Sequence, residues 1–430
     1  MRPLFGRSIK LVFAACVFIV SLAALAADSP RERLLMDFNW RFHLGDAPDA
    51  GAKFDYPEVP DLAKTRLNEV GVGAQLIANL PDPVASNLGA GVSFVQPTFD
   101  DTRWRALDLP HDWAVELPFN TNADYHHGYK PVGKGFPESS IGWYRREFML
   151  PSSDRGRRLW IEFDGVYRDS LVWLNGHCLG RHPSGYGSFR YDISDIANFG
   201  GVNVLAVRVD ASRFEGWFYE GAGIYRHVWL EKASPLCVEP NGLFVWTTFP
   251  ENLPEGPAEI HLRTRLLNYL TNSAYVTVTS EIFDPEGKSV SLFTGATNME
   301  DFSKGEVRLI GAVPSPILWS PESPKLYQLV TTVEAGGKVM DRIETPFGIR
   351  TVGFDAKRGF LLNGKPYVIQ GTCNHQDHAG VGTAMPDALQ YFRLKKLKEM
   401  GCNAIRTSHN PPTPELLDAC DELGMLVMDE

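Results

Sequence analysis

The chain has 430 residues, a formal net charge of −10 and a hydrophobic fraction of 44%. This length suits two to four domains of about 100–200 residues each, with enough apolar residues for several cores. The acidic balance argues against nucleic acid and anionic membrane surfaces as partners, because both are bound by basic patches. An uncharged ligand fits this composition better.

The first 26 residues have the pattern of a cleaved signal peptide. Three basic residues among the first ten precede an apolar run over residues 11–23, and Ala24-Leu25-Ala26 then resembles a signal peptidase site. An uncleaved membrane anchor is the alternative, but the run is short for a span of ~20 residues. The sequence therefore predicts a secreted or periplasmic protein without a membrane span after cleavage.

Residues 27–233 are predicted to form a β-sandwich of the jelly-roll, galactose-binding-like kind. Leu171-Val172-Trp173-Leu174 leads into Asn175-Gly176, the strongest short signal for a hairpin. Residues 204–209 are predicted to form a half-buried strand, and tryptophan is frequent throughout this part. Such a pattern favours an antiparallel sandwich.

Residues 234–350 are predicted to form a second, immunoglobulin-like β-sandwich. Turn sequences at residues 284–287 and 335–337 separate stretches with strand periodicity. The predicted strands include residues 259–267, 275–283, 305–310 and 326–334. This part carries no recognisable catalytic constellation, so we expect it to hold the first domain against the part that follows.

Residues 351–430 are predicted to begin a (β/α)8 TIM barrel. Short strands over residues 367–371, 403–406 and 426–429 alternate with one helix that opens at Pro386 and another capped by Thr413. Strands that alternate with helices through short loops pair in parallel. Three strands cannot close a barrel, so we expect this domain to be incomplete in the sequence.

Polar and titratable side chains follow each of these three predicted strands. In such barrels the active site lies at the C-terminal ends of the strands, so the side chains are expected to meet in one pocket. Histidine and carboxylate groups that bind hydroxyls, with an arginine to orient the carboxylates, suit a neutral polyol. The predicted pocket residues are His375, Asp377, Arg406, His409 and Glu430.

Several motifs along the chain resemble glycoside hydrolase family 2. The similarity extends over essentially everything after the predicted signal peptide, and the motifs occur in the order of that family. In the sugar-binding part they are Phe99-Asp100-Asp101-x-x-Trp104, Leu109-Pro110-His111-Asp112-Trp113, Gly142-Trp143-Tyr144-Arg145-Arg146 and Gly221-Ala222-Gly223-Ile224-Tyr225-Arg226. In the barrel they are Phe360-x-Leu362-Asn363-Gly364-Lys365, Ala404-Ile405-Arg406-Thr407-Ser408-His409-Asn410-Pro411-Pro412 and Val427-Met428-Asp429-Glu430.

This resemblance implies a retaining β-glycosidase, with β-galactosidase as the leading activity and β-glucuronidase or β-mannosidase as alternatives. His375, Asp377 and His409 would line the subsite of the cleaved sugar, and Arg406 would brace a catalytic carboxylate. A retaining mechanism needs two carboxylates ~5–5.5 Å apart. The family places both beyond Glu430, so we expect this portion alone to be inactive. The alternative of another class is a non-catalytic carbohydrate-binding protein, which the coding sequence beyond Glu430 would distinguish.

The resemblance also bears on ligands outside the strand ends. Loops of the family's first domain reach over the barrel mouth, so Trp217 in the loop 215–220 is the predicted aromatic platform for a sugar ring. Some galactosidases of the family have a magnesium ligand at the position of Glu430; no other cofactor is expected.

The His-Gln-Asp sequence at 375–377 departs from the His-Glu forms of several branches. A carbohydrate is the expected partner, and a homo-oligomer is compatible with the sequence.

Overall fold

The computed structural model describes residues 30–54, 82–214, 216 and 218–430, without the side chain of His126. The predicted signal peptide and Trp217 lie outside these residues. The chain divides into two compact units. In the described chain, one consists mainly of Lys232–Pro316 and Tyr327–Ile349, and the other of Arg33–Glu231, Ile317–Leu326 and Arg350–Glu430. The domain boundaries at residues 26, 233 and 350 stay predictions of the sequence.

The first domain is an antiparallel sandwich, as predicted. Its described elements are β1 (Glu32–Leu35), β2 (Trp40–Leu44), β3 (Arg105–Leu107), the one-turn helix α1 (Pro137–Ser140), β4 (Ile141–Met149), β5 (Arg158–Phe163), β6 (Ser170–Leu174), β7 (His177–His182), β8 (Phe189–Asp192), β9 (Val202–Asp210) and β10 (Val228–Ala233). Among these, β3-β2-β4-β9-β6-β7 make one sheet and β1-β10-β5-β8 the other. The buried side chains of Trp40, Tyr144 and Phe163 belong to one core cluster.

The predicted hairpin after Leu174 is confirmed. Strand β6 pairs with β7 across Asn175 and Gly176. Both turn residues have positive φ, 52° for Asn175 and 82° for Gly176, as a two-residue turn matched to the strand twist requires. Asn and Gly tolerate this conformation, so the local sequence favours the turn, and the Asn175 side chain also bonds to Asn203 and to the Val204 N–H.

The second domain is an immunoglobulin-like pair of antiparallel sheets. Its described strands are β11 (Leu236–Thr248), β12 (Ala258–Asn268), β13 (Ala274–Phe283), β14 (Ser289–Met299), β15 (Ser303–Val313), β16 (Tyr327–Ala335) and β17 (Lys338–Phe347). Among them, β11-β12-β15 form one sheet and β14-β13-β16-β17 the other. On β13, Val276, Val278, Ser280 and Ile282 are buried at two-residue steps, while the residues between them are half-buried. This alternation is the one from which the strands were predicted.

The last part is the start of a TIM barrel. A small antiparallel sheet made of β18 (Val352–Asp355), β19 (Gly359–Leu362) and β20 (Lys365–Pro366) precedes it. The barrel elements are β21 (Gly371–Asn374), α2 (Asp387–Glu399), β22 (Ala404–Thr407), α3 (Pro414–Leu423) and β23 (Leu426–Met428). Strand β22 pairs in parallel with both neighbours. Within the described residues, no helix has the length and apolar character that crossing a membrane requires.

The position of the first barrel strand was predicted wrongly. Residues 367–370 are not a strand, because parallel pairing begins at Gly371, which lies opposite Ala404. Val368 and Ile369 therefore precede the strand. The side-chain amide of Asn403 instead donates to the Val368 carbonyl and its oxygen accepts the Gln370 N–H.

Candidate active site

Three polar groups meet at the C-terminal ends of β22 and β23. The Arg406 Nε donates to Glu430 Oε1 at 2.7 Å, and its Nη2 donates to the same oxygen. The other oxygen of Glu430 accepts the His409 backbone N–H at 2.9 Å and lies 3.0 Å from His409 Nδ1. The His409 N–H and the Arg406 guanidinium together hold the pKa of Glu430 below its usual range. Glu430 is therefore an ionised carboxylate that accepts hydrogen bonds.

His409 adopts an unusual backbone conformation at this point. Its φ is 63°, in the left-handed region that costs a non-glycine residue roughly 1 kcal/mol. The hydrogen bond from its N–H to Glu430 offsets this strain. The carboxylate beside Nδ1 favours the tautomer with the proton on Nδ1, which makes Nε2 the acceptor nitrogen. The His409 ring lies 5.6 Å from the ring of His375, centroid to centroid.

The loop with His375 and Asp377 follows β21 directly. Arg393, on α2, holds it through its backbone: Nη2 donates to the His375 carbonyl and Nη1 to the Asp377 carbonyl, both at 3.1 Å. The Asp377 side chain is half-buried. Burial and the carboxylates of Asp112 and Asp377 raise the pKa of the Tyr219 phenol. Of the strand-end residues predicted from the sequence, His375, Arg406, His409 and Glu430 thus lie together, and Asp377 lies close enough to Tyr219 to act on its hydroxyl electrostatically.

A loop of the first domain also reaches these histidines. The Phe218 ring lies 5.1 Å from the His375 ring and 5.5 Å from the His409 ring, centroid to centroid. The loop was predicted from the sequence, but Trp217 was chosen as its functional residue. Trp217 lies outside the described residues, so its role stays a prediction. Phe218 was missed, although the aromatic residues of this loop were a signal for it.

Two further residues of the first domain fix the loops around the site, and sequence reasoning missed both. The Arg226 Nη2 donates to Gln376 Oε1 at 3.0 Å and to the Pro411 carbonyl at 2.6 Å. The buried Asp112 accepts hydrogen bonds from the Thr383 N–H at 3.0 Å and from the Tyr219 hydroxyl at 2.8 Å. Both lie within motifs that resemble the family, and their position in those motifs was the available signal.

The surroundings of Glu430 bear on the predicted magnesium ligand. In the described part of the chain, its two oxygens face N–H donors, and the side chains that approach it belong to Arg406 and His409. These residues add no second carboxylate, which is the ligand that Mg²⁺ prefers. A magnesium ion at Glu430 therefore stays a prediction.

A separate cluster offers ligand atoms of the kind that metals bind. Nitrogen and oxygen atoms of His227, Asp387 and Glu415 lie within 4.8 Å of one another. However, the two nitrogens of His227 are 2.5 Å from Asp37 and 3.0 Å from Asp387. Against the lowering effect of burial, these hydrogen bonds raise the pKa of His227 to about 10. The described contacts of this cluster are thus those of an ion-pair network in which two carboxylates flank the imidazole.

Comparison with known proteins assigns the fold and the site to one family. Three family models match consecutive parts of the chain and together cover more than half of it. They are the sugar-binding domain of glycosyl hydrolases family 2 over residues 91–234, glycosyl hydrolases family 2 over residues 243–350, and the TIM barrel domain of that family over residues 356–430. The chain belongs to glycosyl hydrolase family 2.

Curated relatives include more than one activity. The chain is similar to the β-galactosidase BoGH2A of Bacteroides ovatus, with 39% identity over 94% of this chain and 41% of that protein. It is also similar to a putative β-glucuronidase of Formosa agariphila, with 38% identity over 78% of this chain and 31% of that protein. The chain thus spans less than half the length of these relatives.

Solved structures agree on the fold. A glycosyl hydrolase family 2 member from Bacteroides cellulosilyticus has a TM-score of 0.77 and 31% identity, over 93% of this chain and 45% of that chain. A β-glycosidase from Bacteroides vulgatus has a TM-score of 0.74 and 32% identity, over 93% of this chain and 44% of that chain. The jelly roll, the immunoglobulin-like domain and the start of the barrel are therefore those of this family.

Proposed function

We propose that this chain is part of a retaining β-glycosidase that removes terminal β-galactosyl residues. The observation that carries the proposal is the convergence of His375, His409 and the Arg406–Glu430 pair at the ends of the barrel strands. These groups offer donors and acceptors to sugar hydroxyls on the face where barrel enzymes bind substrates. The name of the Bacteroides ovatus relative, a β-galactosidase, supports galactose as the sugar.

In this proposal the described strand-end residues bind and position the sugar. The Arg406 guanidinium and the His409 N–H keep Glu430 ionised, so Glu430 is poorly suited to donate a proton as a general acid. We therefore assign it a positioning role. The two carboxylates of the retaining reaction are expected on later barrel strands, as the family resemblance implies.

A β-glucuronidase is the second candidate, because a relative with 38% identity carries that name. A glucuronide brings a carboxylate that would need a cationic partner in the pocket. The arginines beside the described strand ends already have partners within the protein: Arg406 pairs with Glu430, and Arg393 donates to backbone carbonyls. Because these arginines are already bonded within the protein, the described strand ends suit an uncharged sugar better than a glucuronide.

The proposed specificity for galactose is tested with the full-length protein, translated to its natural stop codon. We expect kcat/KM for an aryl β-galactoside to exceed the values for the β-glucuronide and the β-mannoside by at least about tenfold, or ~1.4 kcal/mol. A preference for the glucuronide would reject galactose and keep the glycosidase. Absence of turnover on all three substrates, with binding of sugar retained, would support the non-catalytic carbohydrate-binding protein instead.

We also propose that the protein is exported with residues 1–26 as a cleaved signal peptide, which makes it secreted or periplasmic. The basic start, the apolar run and Ala24-Leu25-Ala26 support this proposal. Mass spectrometry of the protein from its native cells should find a mature N-terminus at Ala27. A retained N-terminus together with membrane fractionation would identify an anchor.

A further inference from the structure

A buried carboxylate lies behind the loop that carries Phe218. Glu220 is fully buried on the first domain and accepts hydrogen bonds on both oxygens. Its Oε2 accepts the hydroxyl of Tyr167 at 2.5 Å, and its Oε1 accepts the hydroxyl of Tyr186 at 2.5 Å. Burial raises the pKa of the Tyr167 phenol, so this hydroxyl remains a proton donor.

The same carboxylate also holds the backbone of the loop. Its Oε1 accepts the Gly216 N–H at 2.7 Å. A Cβ atom on Gly216 would lie 2.6 Å from Cε1 and Cζ of Phe218, so the ring packs directly against this glycine. Glu220 therefore controls the position of the surface on which the Phe218 ring rests.

On its other side, the Phe218 ring faces the two strand-end histidines. Its plane is inclined 48° to the His375 ring and 30° to the His409 ring. A partly buried aromatic ring beside hydrogen-bonding groups is the arrangement by which proteins pack against the C–H face of a pyranose. The histidines bind hydroxyls, and the phenyl ring provides an apolar surface next to them.

We propose that Phe218 forms an apolar wall of the sugar subsite and that Glu220 is the residue that positions it. The inference rests on the proposed glycosidase function and adds a specificity-determining residue from the first domain. Phe218 binds the sugar in the ground state and the transition state alike, so its loss raises KM more than it lowers kcat. Glu220 acts on substrate only through the loop.

Steady-state kinetics of the full-length protein test whether Phe218 forms a wall of the sugar subsite. We expect Phe218→Ala to raise KM for the preferred aryl β-glycoside about tenfold with kcat within about threefold, because tenfold corresponds to ~1.4 kcal/mol of binding. Phe218→Leu, which keeps an apolar surface, should restore most of the affinity. An unchanged KM in Phe218→Ala, with the wild-type protein active, would overturn the inference and leave the glycosidase function intact.

The positioning role is tested with a matched pair of substitutions. Glu220→Gln should raise KM in the same direction as Phe218→Ala, by about threefold. Glu162→Gln is the control, since Glu162 is a buried glutamate of the same domain that pairs with Arg190 and Arg33. An equal rise of KM in both variants would mean general destabilisation and would reject positioning by Glu220.

A measurement without turnover separates this inference from the proposed function. In protein labelled with ¹³C at histidine Cε1, Phe218→Leu removes a ring current and should shift two histidine resonances, those of His375 and His409. Glu220→Gln should shift the same two resonances, and Glu162→Gln should leave them in place. If Glu220→Gln leaves both at their wild-type positions, the positioning role is wrong, whether or not the protein hydrolyses a glycoside.

Discussion

The jelly roll and the barrel segment use buried residues in different ways. All five residues of β6, in the jelly roll, are buried, because other parts of that domain cover both faces of its sheet. The barrel segment contributes three parallel strands to the described chain, and the second face of such a sheet belongs to the interior of a closed barrel. Helices α2 and α3 pack on the other face of the parallel sheet through Leu394 and Ile405. The candidate site lies at the strand ends.

Charged residues follow the same division. Arg145 and Arg208 of the jelly roll are almost completely buried, and they pair with Asp101 and Asp46 at 2.8 and 2.7 Å. Such pairs hold a core in one arrangement, and removal of one partner strongly destabilises the folded protein. The Arg406–Glu430 pair is more open, with side chains 31% and 25% exposed. The first domain thus encloses its ion pairs within a complete core, whereas the Arg406–Glu430 pair lies at the strand ends, where barrel enzymes bind substrate.

The largest expected effect is the loss of stability on substitution of Asp112, which connects the two regions. Besides Thr383 and Tyr219, Asp112 accepts the N–H groups of Ala114 and Ala222. Asp112→Ala would leave these buried donors without an acceptor, and we expect a loss of about 3–5 kcal/mol in the free energy of unfolding. Urea-induced unfolding of the full-length protein measures it.

The control for Asp112 is an aspartate outside the core. Asp108 is exposed and accepts the Asn39 N–H, so Asp108→Ala should cost no more than about 1 kcal/mol. Similar losses in the two variants would contradict the view that the buried carboxylate connects jelly roll and barrel. Asp112→Asn, which keeps the shape and one acceptor oxygen, should lie between them.

The next effect is on activity rather than stability. Arg406→Lys replaces a two-point contact with Glu430 by a single ammonium group, so the carboxylate and His409 lose their fixed geometry. We expect kcat/KM of the full-length protein to fall about 10²-fold, while its stability changes by less than about 1 kcal/mol. Arg308→Lys, in an exposed pair with Glu306, is the control and should change neither. A loss of stability as large as that of Asp112→Ala would erase the distinction between the two regions.

Features set by nearby residues could be predicted from the sequence. The Asn175-Gly176 hairpin and the cap of α3 at Thr413 are as expected, because each depends on a few consecutive residues. The strand-end cluster was also predictable, since parallel strands bring their C-terminal ends to one edge. The start of β21 was not, because the apolar pair at Val368 and Ile369 has the same sequence pattern as a strand although pairing begins at Gly371.

Features set by distant contacts could not be predicted. Phe218 lies at the histidines because its loop is anchored by Glu220, whose partners Tyr167 and Tyr186 are 53 and 34 residues earlier. Asp112 binds Thr383, 271 residues later in the chain. No local pattern encodes either pairing. The motif around Asp112 and the aromatic loop around Phe218 indicated these positions, but their partners depend on how the first domain packs against the barrel strands.

A third effect is the pH dependence of stability that comes from His227, whose ion pairs join the jelly roll to α2. The pKa of His227, about 10 in the folded protein, lies above the ordinary value of 6.5. A raised histidine pKa stabilises the fold fully below pH 6.5, and this contribution is lost as the pH rises through about 10. Because the side chain is partly exposed, we expect about 1–2 kcal/mol after screening.

The difference between wild type and His227→Gln isolates this contribution, because other groups that titrate near pH 10 are common to both. The charged groups that face His227 are Asp37, Asp387 and Glu415. The stability difference should be largest near pH 6 and should shrink towards pH 10. A difference that is constant over this range would show that the histidine is neutral in the folded protein.

The smallest effect is expected within the barrel segment itself. The Thr413 hydroxyl accepts the Leu416 N–H at 3.1 Å at the start of α3 and donates to Gln390 Oε1 on α2 at 2.8 Å. Thr413→Ala removes both hydrogen bonds and should cost about 1 kcal/mol in the free energy of unfolding. Thr413→Ser keeps the hydroxyl and should cost only a fraction of this. Since the Thr413 hydroxyl bonds to α3 and α2 and not to the Arg406–Glu430 pair, kcat/KM should stay unchanged in both. A loss of activity in Thr413→Ala without loss in Thr413→Ser would mean that this cap also fixes the strand-end loops, because Thr413 and His375 line one cavity.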